Sequence, residues 1–364
     1  MGRSLRGQYS GVVRYTHELV TALAPRIGRD LTVFVTQAPD GIEDLGVNRV
    51  RAPFPTPNEY ARAAWEQAVV PLEVSRLQPD VYHSPNYILP LALRRPAVVT
   101  VHDLFYLEPD LHRLRSRLYL TALATHAISS ARRVICVSNS TGDRLLRRHP
   151  KAEHVIRVVP EGVDPRFRPV ETDGVQRVRE KLGLHQPYVL FVGTIEPRKN
   201  LDRLIRAFSL AACRSGLPHD LVIAGGRGWK DVAIQAALEA SPVKGRIRFT
   251  GYVDDADMPA LYAGADLFVF ASLDEGFGLP PLEAMACGTA VVASRAGSLP
   301  EVLGEAARLV DPHDEEEIAA AVVETLGDAS TRSALIAAGL ERAARYDWNA
   351  AADATIAVYE EAAS

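Results

Sequence analysis

The sequence predicts an α/β protein of two doubly wound domains, and three observations support this prediction. Short apolar, β-branched runs alternate with amphipathic segments along the chain, a pattern typical of buried parallel strands joined by helices. The length of 364 residues suits two domains of about 150–200 residues each. A segment with three prolines, residues 159–169, is interpreted as the linker between them.

The charge distribution supports the same boundary. Residues 1–164 contain 21 Lys and Arg against 16 Asp and Glu, a net charge of +5. The remaining residues contain 20 against 29, a net charge of -9, and the two parts sum to the -4 of the whole chain. We therefore predict one domain over 1–164, a second over 165–345, and a C-terminal helix over 346–364 that can cross back to the first domain.

Composition excludes several classes of protein. The chain is 47% hydrophobic and 24% charged, which is ordinary for a globular protein and argues against a disordered tail. No apolar run reaches the ~18 residues of a membrane span, and no apolar leader segment opens the chain. Three widely spaced cysteines without a C-x-x-C pair argue against a disulfide framework or a zinc site. We expect a cytoplasmic protein with no nucleic-acid partner.

The predicted strands are spaced as in a parallel sheet. In the first part they are 31–36, 81–84, 97–102, 134–138 and 156–159. In the second part they are 188–192, 221–224, 247–250, 267–270, 290–293 and 308–310. Such sheets bind ligands at the carboxyl ends of their strands, so the residues that follow each strand are the first candidates for a site.

The first predicted helix has no visible strand before it. Residues 7–11, Gly-Gln-Tyr-Ser-Gly, indicate a turn that leads into an amphipathic helix over 12–23, and in a doubly wound sheet such a turn follows a strand. Residues 1–6 are polar. Three explanations stay open: the first strand is missing, the start of the protein lies upstream, or the terminus is a short flexible segment.

The strongest motif is residues 275–283, Glu-Gly-Phe-Gly-Leu-Pro-Pro-Leu-Glu, between the strand at 267–270 and an apolar helix. Glycines at a strand-to-helix turn let backbone N–H groups approach a ligand, and the helix N-terminus adds partial positive charge, so the turn suits a phosphate. The carboxylates of Glu275 and Glu283 can accept hydrogen bonds from hydroxyls. The motif favours a ligand with phosphates and hydroxyls, such as a nucleotide sugar, over two unrelated surface acids.

A second motif, residues 193–200 with the sequence Gly-Thr-Ile-Glu-Pro-Arg-Lys-Asn, also lies between a buried strand and a helix. Its basic pair, Arg198 and Lys199, can neutralise a diphosphate. Basic residues near a helix N-terminus oppose the helix dipole, which favours a binding role over a solvated basic pair.

Together with Ala-Met-Ala-Cys-Gly at 284–288 and Ser-Leu-Pro-Glu-Val at 298–302, these motifs resemble those of the family-4 retaining glycosyltransferases. The resemblance extends from Ser10 and Gly11 to Trp348. It implies the GT-B fold, in which two Rossmann-like domains face each other across a cleft. The acceptor would then bind on the side of the N-terminal domain and the nucleotide sugar on the C-terminal domain.

The resemblance also implies roles for matching positions. Lys199 would contact the donor diphosphate, with help from Arg198. Glu275 would bind hydroxyls of the transferred sugar, and Glu283 would hold the ribose. His102, at the end of a predicted strand, matches a histidine that faces the donor sugar.

Further donor-binding positions follow from the same resemblance. Backbone groups of Phe277, Gly278 and Leu279 would support the sugar and the phosphates. Gly11 would lie near the phosphates, and the nucleotide base would lie near Val253.

The subgroup that the chain most resembles contains mannosyltransferases of bacterial polysaccharide assembly. The implied reaction moves a hexose, with mannose from GDP-mannose favoured, to a glycan or polyprenyl-linked acceptor with retention at the anomeric carbon. Arg198 and Lys199 would replace a metal at the leaving diphosphate, so neither a metal nor another cofactor is expected. Two alternatives stay open: a nucleotide-sugar epimerase of the same architecture, and an inactive, truncated binding protein.

Three other patterns have both a functional and a purely structural interpretation. Asp255 and Asp257 form Asp-x-Asp, a metal-binding pattern in another glycosyltransferase fold, but they precede a predicted helix and are better interpreted as its cap. Residues 225–228, Gly-Gly-Arg-Gly, lack the dinucleotide fingerprint, which argues against a dehydrogenase. Arginines alternate with leucines near residue 115. Two interpretations stay open for this segment: docking on anionic lipid at the inner face of the plasma membrane, or a solvated helix. The arginines concerned are Arg113, Arg115, Arg117, Arg132 and Arg133.

Overall fold

The structure, a computed structural model, describes residues 11–35, 42, 44–53, 59–104, 114–226, 228 and 232–364. The expected first strand and Ser10 lie outside these residues. The chain divides into two compact units, one of Met1–Gly162 with Asp347–Ser364 and the other of Val163–Tyr346. The second unit therefore interrupts the first in the sequence.

The first unit contains two parallel sheets. Strand β1 (Thr32–Val35) pairs with β2 (Asn48–Arg51), while a four-stranded sheet has the order β3-β4-β5-β6. Its strands are β3 (Tyr82–Ser84), β4 (Ala97–Val101), β5 (Arg133–Cys136) and β6 (Ile156–Val158). The described helices are α1 (Gly11–Ile27), α2 (Glu59–Ala64), α3 (Val70–Leu77), α4 (Leu114–Ser130), α5 (Asn139–Arg148) and, from the C-terminal segment, α14 (Trp348–Ala363).

Helix α14 packs against α1 in the core of the first unit. Its Trp348 and Ala352 share a buried cluster with Tyr15 and Leu19 of α1 and with Val98 of β4. The side chain of Asp347 caps the helix by accepting a hydrogen bond from the Asn349 N–H, which fixes where the helix begins. The burial of this apolar face explains why the C-terminal segment returns to the first unit.

The second unit is one six-stranded parallel sheet with the order β12-β11-β10-β7-β8-β9. Its strands are β7 (Tyr188–Val192), β8 (Asp220–Ala224), β9 (Ile247–Gly251), β10 (Leu267–Phe270), β11 (Val291–Ser294) and β12 (Arg308–Val310). Its helices are α6 (Thr172–Leu182), α7 (Leu201–Ser215), α8 (Val232–Ala240), α9 (Met258–Ala263), α10 (Leu279–Ala286), α11 (Leu299–Leu303), α12 (Glu315–Gly327) and α13 (Ala329–Ala343). In this order the chain reverses direction across the sheet between β7 and β10, the point where a doubly wound sheet opens a crevice for ligands.

The central strands of this sheet are almost entirely apolar and buried, as parallel strands covered by helices on both faces should be. The rings of Phe191 in β7 and Phe270 in β10 stack with centroids 5.8 Å apart. The α/β class and the parallel strands of both parts are confirmed. Strand β2 was not predicted from the sequence, because Asn48, Arg49 and Arg51 hide its β character.

Candidate active site

The two predicted motifs follow the neighbouring strands β7 and β10. Parallel strands end at the same edge of the sheet, so the loops after β7 and β10 meet there. The backbone N–H of Leu273 donates to the carbonyl of Arg198 at 2.9 Å, which joins the loops directly. The sheet order thus places both motifs at the topological switch point of the second unit.

Three charged side chains form a cluster where the loops meet. The Lys199 Nζ donates to Glu275 Oε1 at 2.6 Å, and the Arg198 Nη1 donates to Glu275 Oε2 at 2.8 Å. Arg198 also donates through Nη2 to Glu196 Oε1 at 2.8 Å. Glu275 and Lys199 are 8% and 7% exposed, so these contacts form largely out of water. The predicted residues Arg198, Lys199 and Glu275 are therefore brought together.

This arrangement lowers the pKa of both buried residues, Glu275 and Lys199. Burial on its own would raise the pKa of Glu275, but the positive charges of Arg198 and Lys199 outweigh it and lower the pKa to about 2. Burial and the neighbouring Arg198 lower the pKa of Lys199, against the opposing effect of Glu275. The carboxylate is ionised across the whole physiological range, and it is poised to accept hydrogen bonds.

Asn200 positions the basic pair, a role that the sequence reasoning did not assign. Its buried side-chain amide donates to the carbonyl of Ala271 at 2.9 Å and to that of Pro312 at 2.7 Å. Its φ of 59° lies in the left-handed region, which Asn tolerates better than most residues. Asn200 thereby ties the loop after β7 to the loops after β10 and β12.

The loop from Glu275 to Gly278 is held by a second segment, residues 297–299. The Ser298 N–H donates to the carbonyl of Glu275 at 3.0 Å, and the Ser298 hydroxyl donates to the carbonyl of Phe277 at 2.7 Å. Gly297 has a φ of 58°, and a Cβ there would lie 2.4 Å from the carbonyl oxygen of Glu275. Only a glycine lets the two segments approach this closely.

The start of α10 carries the backbone N–H groups on which the predicted phosphate-type turn depends. Gly278 is the N-terminal cap with a φ of 107°, and Leu279 opens the helix. The next two residues are Pro280 and Pro281, which have no N–H group. Among the first-turn residues Gly278 to Pro281, only Gly278 and Leu279 therefore have N–H groups, and helix geometry gives these no partner within the helix.

Glu283 lies inside the second unit at 2% exposure. Its Oε2 accepts a hydrogen bond of 2.8 Å from the hydroxyl of Tyr262, which is itself fully buried. The sequence reasoning did not select Tyr262, because an apolar helix position gave no sign of a polar partner.

The predicted base-binding region and the acidic pattern beyond it lie after β9. Val253 is buried and Tyr252 is 40% exposed. Asp257 is the N-terminal cap residue of α9, as the cap interpretation expects, but its side chain makes no capping hydrogen bond. Its carboxylate instead accepts from Lys181 Nζ at 2.6 Å, a long-range pairing that the local pattern could not reveal. No described group of three or more His, Cys, Asp or Glu side chains has an arrangement that could hold a metal ion.

His102 lies at the end of β4 in the first unit. Its Nδ1 is 2.9 Å from Glu161 Oε1, and its Nε2 is 3.1 Å from the carbonyl oxygen of Pro85. The Glu161 carboxylate and the Pro85 carbonyl can each accept a hydrogen bond from the ring, an arrangement that favours the doubly protonated form of His102. Burial lowers the pKa of His102, but the hydrogen bond and charge of Glu161 outweigh it and the pKa is raised. Glu161 was not predicted, although it stands in the linker motif.

The other predicted residues of the first unit are placed as follows. Gly11 is the first residue of α1 and is exposed, with open space where a side chain would project. Arg133 donates through Nε to Glu361 Oε2 at 2.8 Å. The side chains of Arg113, Arg115 and Arg117 lie outside the described residues. No described helix has the length and hydropathy that crossing a bilayer requires.

Two family models together match most of the chain. The model described as glycosyltransferase family 4 matches residues 9–167, and the model of glycosyl transferases group 1 matches residues 175–342. These matches, together with the parallel sheets of the two units, place the chain in the class of glycosyltransferases of GT-B fold.

The chain belongs to glycosyltransferase family 4. It is 36% identical over 282 residues to the O-antigen chain mannosyltransferase B of Escherichia coli, an alignment that covers 77% of this chain and 74% of that protein. It is 29% identical over 311 residues to the serotype-specific mannosyltransferase WbdA of Escherichia coli, with 79% of this chain and 38% of WbdA covered.

Solved structures show the same fold over nearly the whole chain. Sucrose-phosphate synthase from Thermosynechococcus elongatus superposes with a TM-score of 0.77 at 25% identity, covering 96% of this chain and 93% of that one. Anabaena HepE in complex with UDP and glucose superposes with a TM-score of 0.75 at 19% identity, covering 98% and 96%.

Proposed function

We propose that this glycosyltransferase moves a hexose, with mannose favoured, from a nucleotide sugar to a glycan or lipid-linked glycan acceptor in cell-envelope polysaccharide synthesis. The observation that supports it most is the cluster of Arg198, Lys199 and Glu275 at the switch point of the second unit. Two cations, an ionised carboxylate and the open donors of α10 are the groups that a sugar diphosphate requires.

The charge balance of the cluster suggests how the donor would bind. Arg198 and Lys199 are neutralised by Glu196 and Glu275 through ion pairs of 2.6–2.8 Å. A diphosphate would compete with Glu275 for the two cations. The released carboxylate would then accept hydrogen bonds from sugar hydroxyls, so one residue would serve both the resting cluster and the donor complex.

The chemistry needs little from the protein beyond charge and position. The bond between the anomeric carbon and the diphosphate oxygen breaks, and a new bond forms between that carbon and an acceptor hydroxyl oxygen. The hydroxyl proton passes to the leaving phosphate. Arg198, Lys199 and the start of α10 would stabilise the negative charge that develops there. We propose activity without a metal on this basis. Retention at the anomeric carbon is proposed from the resemblance to the retaining glycosyltransferases of family 4.

Mannose as the sugar and GDP-mannose as the donor rest on similarity to the Escherichia coli mannosyltransferases. HepE, whose structure contains UDP and glucose, is similar in fold alone. GDP-mannose and UDP-glucose are therefore the two donors to compare first. Val253, Gly11 and Glu283 stay predicted contacts of the donor. His102 stays a predicted catalytic residue that faces the donor sugar. We propose that it would act there through positive charge, because Glu161 and the Pro85 carbonyl engage both of its nitrogens.

The decisive experiment combines a donor panel with variants of the cluster. Thermal shift and transfer would be measured with GDP-mannose, UDP-glucose and related donors, with and without EDTA, and the anomeric configuration of the product read by NMR. Lys199→Ala should lower transfer roughly 10²–10³-fold, as does the loss of one oxyanion donor. Lys244→Ala, at an exposed ion pair with Glu239, is the matched control and should act like wild type.

Each outcome of this experiment has a clear meaning. Wild-type turnover in Lys199→Ala would refute the site, and loss of activity with EDTA would refute metal independence. Interconversion of the donor sugar without an acceptor would favour the epimerase. Binding of no donor in the panel would favour an inactive binding protein.

Membrane docking is a separate proposal. Arg133 already pairs with Glu361, which reduces the charge available to lipid. Sedimentation with liposomes that contain anionic lipid should exceed sedimentation with neutral liposomes; equal values would refute docking.

A further inference from the structure

The side chains of His102 and Glu161 form a largely buried pair in the first unit. The distance between His102 Nδ1 and Glu161 Oε1 is 2.9 Å, and the two side chains are 15% and 7% exposed. Buried charges in proteins are paired, because a carboxylate that leaves water without a partner loses its hydration. His102 is thus the group that compensates the carboxylate of Glu161, and the reverse also holds.

Further contacts fix the orientation of the His102 ring. Its Nε2 lies 3.1 Å from the carbonyl oxygen of Pro85, which follows β3. The ring of Tyr15 in α1 meets the imidazole edge to face, with centroids 4.5 Å apart and an angle of 82° between the planes. Because both ring nitrogens have acceptors within the first unit, a role for His102 in this arrangement depends on its charge and not on proton transfer.

Glu161 stands on backbone that is held from both sides. Before it, the Val159 N–H donates to the Cys136 carbonyl at 3.0 Å, which extends the pairing of β6 with β5. After it comes Gly162, where a Cβ would overlap the backbone nitrogen of Trp348 at the start of α14. The chain therefore packs directly against α14 beside Glu161, and the carboxylate is supported by segments other than the strand that carries the imidazole.

Four ionisable side chains adjoin the ring of His102, and two of them are acids. Burial lowers the pKa of His102, but the hydrogen bond and charge of Glu161, with a smaller effect of the charge of Asp103, raise it above the usual value. The other two are neutral. Burial and the charge of His102 lower the pKa of His83 to about 3, and burial raises the pKa of Tyr15.

We propose that Glu161 is a positioning residue of the transfer reaction, which keeps His102 doubly protonated and fixes its ring at the end of β4. This inference rests on the proposed function, in which His102 faces the donor sugar and acts through positive charge. Glu161 itself would contact neither a substrate nor a reacting atom. A charge that is held in place before the bond breaks stabilises the developing negative charge without reorganisation.

The proposal determines the sign of the pH dependence. A carboxylate at this distance raises the pKa of its partner by at least about one unit. Glu161→Gln keeps the size of the side chain and removes the charge, so His102 should lose its proton at a lower pH. Transfer needs the charged ring, so the alkaline limb of kcat/KM should move to lower pH by the same amount. Above both pKa values, a shift of one unit lowers kcat/KM about tenfold.

Two titrations of the same proteins test the proposal. NMR of histidine-labelled protein measures the pKa of the His102 ring, whose signals are identified by their loss in His102→Gln. The transfer assay gives kcat/KM for GDP-mannose, or for the donor that the panel selects, from about pH 5 to pH 9. Glu161→Asp retains a carboxylate with a shorter reach, so it should shift both values less than Glu161→Gln does.

The matched control is Asp266→Asn. It removes the acid of another histidine–carboxylate pair, His219 with Asp266 at 3.4 Å, in the second unit. These two residues precede β8 and β10, at the ends of the strands opposite to the candidate site. The control should leave the pKa of His102 and the pH profile of kcat/KM at their wild-type values.

Equal shifts of the ring titration and of the kcat/KM profile are the expected result. Titration of His102 at the wild-type pH in Glu161→Gln would overturn the proposal, and so would a ring shift without a shift of the profile. A loss of activity that is the same at every pH would also overturn it, because that is the effect of a structural role. If Glu161→Gln does not fold, the same comparison is decided with Glu161→Asp. Failure of the proposed function is a different result, in which the wild type transfers from no donor.

Discussion

Glu275→Gln tests whether the buried charge cluster stabilises the second unit. The change keeps the size of the side chain and removes the charge shared by Arg198 and Lys199. The pKa of Glu275 is about 2 in the folded protein, against ~4.3 in an unfolded chain. A difference of about two units corresponds to about 3 kcal/mol of unfolding free energy at pH 7.

The sign of the pH dependence follows from the lowered pKa. A depressed carboxyl pKa stabilises the fold above the unfolded value, and this contribution is lost as the pH falls through the folded value. The gap between wild type and Glu275→Gln should therefore be largest near pH 7 and shrink between about pH 5 and pH 2.

Thermal unfolding at several pH values is the assay. A loss of about 3 kcal/mol in a unit of this size lowers Tm by roughly 6–12 °C. The control is Glu239→Gln, at an exposed ion pair with Lys244, which should leave Tm nearly unchanged. A shift at pH 7 no larger than that of the control, or a gap that stays constant down to pH 3, would refute the electrostatic reasoning.

Substitutions at three other positions probe the supports of the site. Asn200→Gly keeps the left-handed φ but leaves two buried carbonyls without their donor, so urea unfolding should show a free energy of unfolding lower by at least about 2 kcal/mol. Asn200→Ala should lower the free energy of unfolding further, because alanine disfavours that φ. Equal losses in the two variants would argue against backbone strain. Tyr262→Phe removes the donor to Glu283 and should cost about 1–3 kcal/mol in the same assay, whereas a neutral result would mean that water replaces the hydroxyl. Gly297→Ala should displace the Glu275 backbone and lower kcat more than tenfold, while Gly327→Ala, with open space around it, should retain activity.

The fold of the second unit could be predicted because its strands are apolar throughout and regularly spaced. Arg198, Lys199 and Glu275 could be placed together because each follows a central strand, and the sheet order brings those loops to one edge. The first unit was harder. Strand β2 contains arginines and pairs with a single neighbour among the described strands, so no apolar run marks it.

The residues that support the site could not be identified from sequence. Asn200 and Tyr262 act through partners 21 to 112 positions away, and such contacts exist only after the sheet has formed. Glu161 shows the same limit, since its partner His102 lies 59 positions earlier. Local patterns identify residues that end strands, but they do not reveal which distant groups hold those residues in place.

The return of α14 to the first unit has a consequence for biosynthesis. Residues 347–364 leave the ribosome only after the whole of Val163–Tyr346 has been made. At ~5–20 residues per second, the first unit waits about 10–40 s for the helix that covers Tyr15 and Leu19. During that interval the second unit can fold to completion, while the first exposes an apolar surface. A nascent chain stalled before residue 347 should therefore recruit chaperones to its earliest-made half.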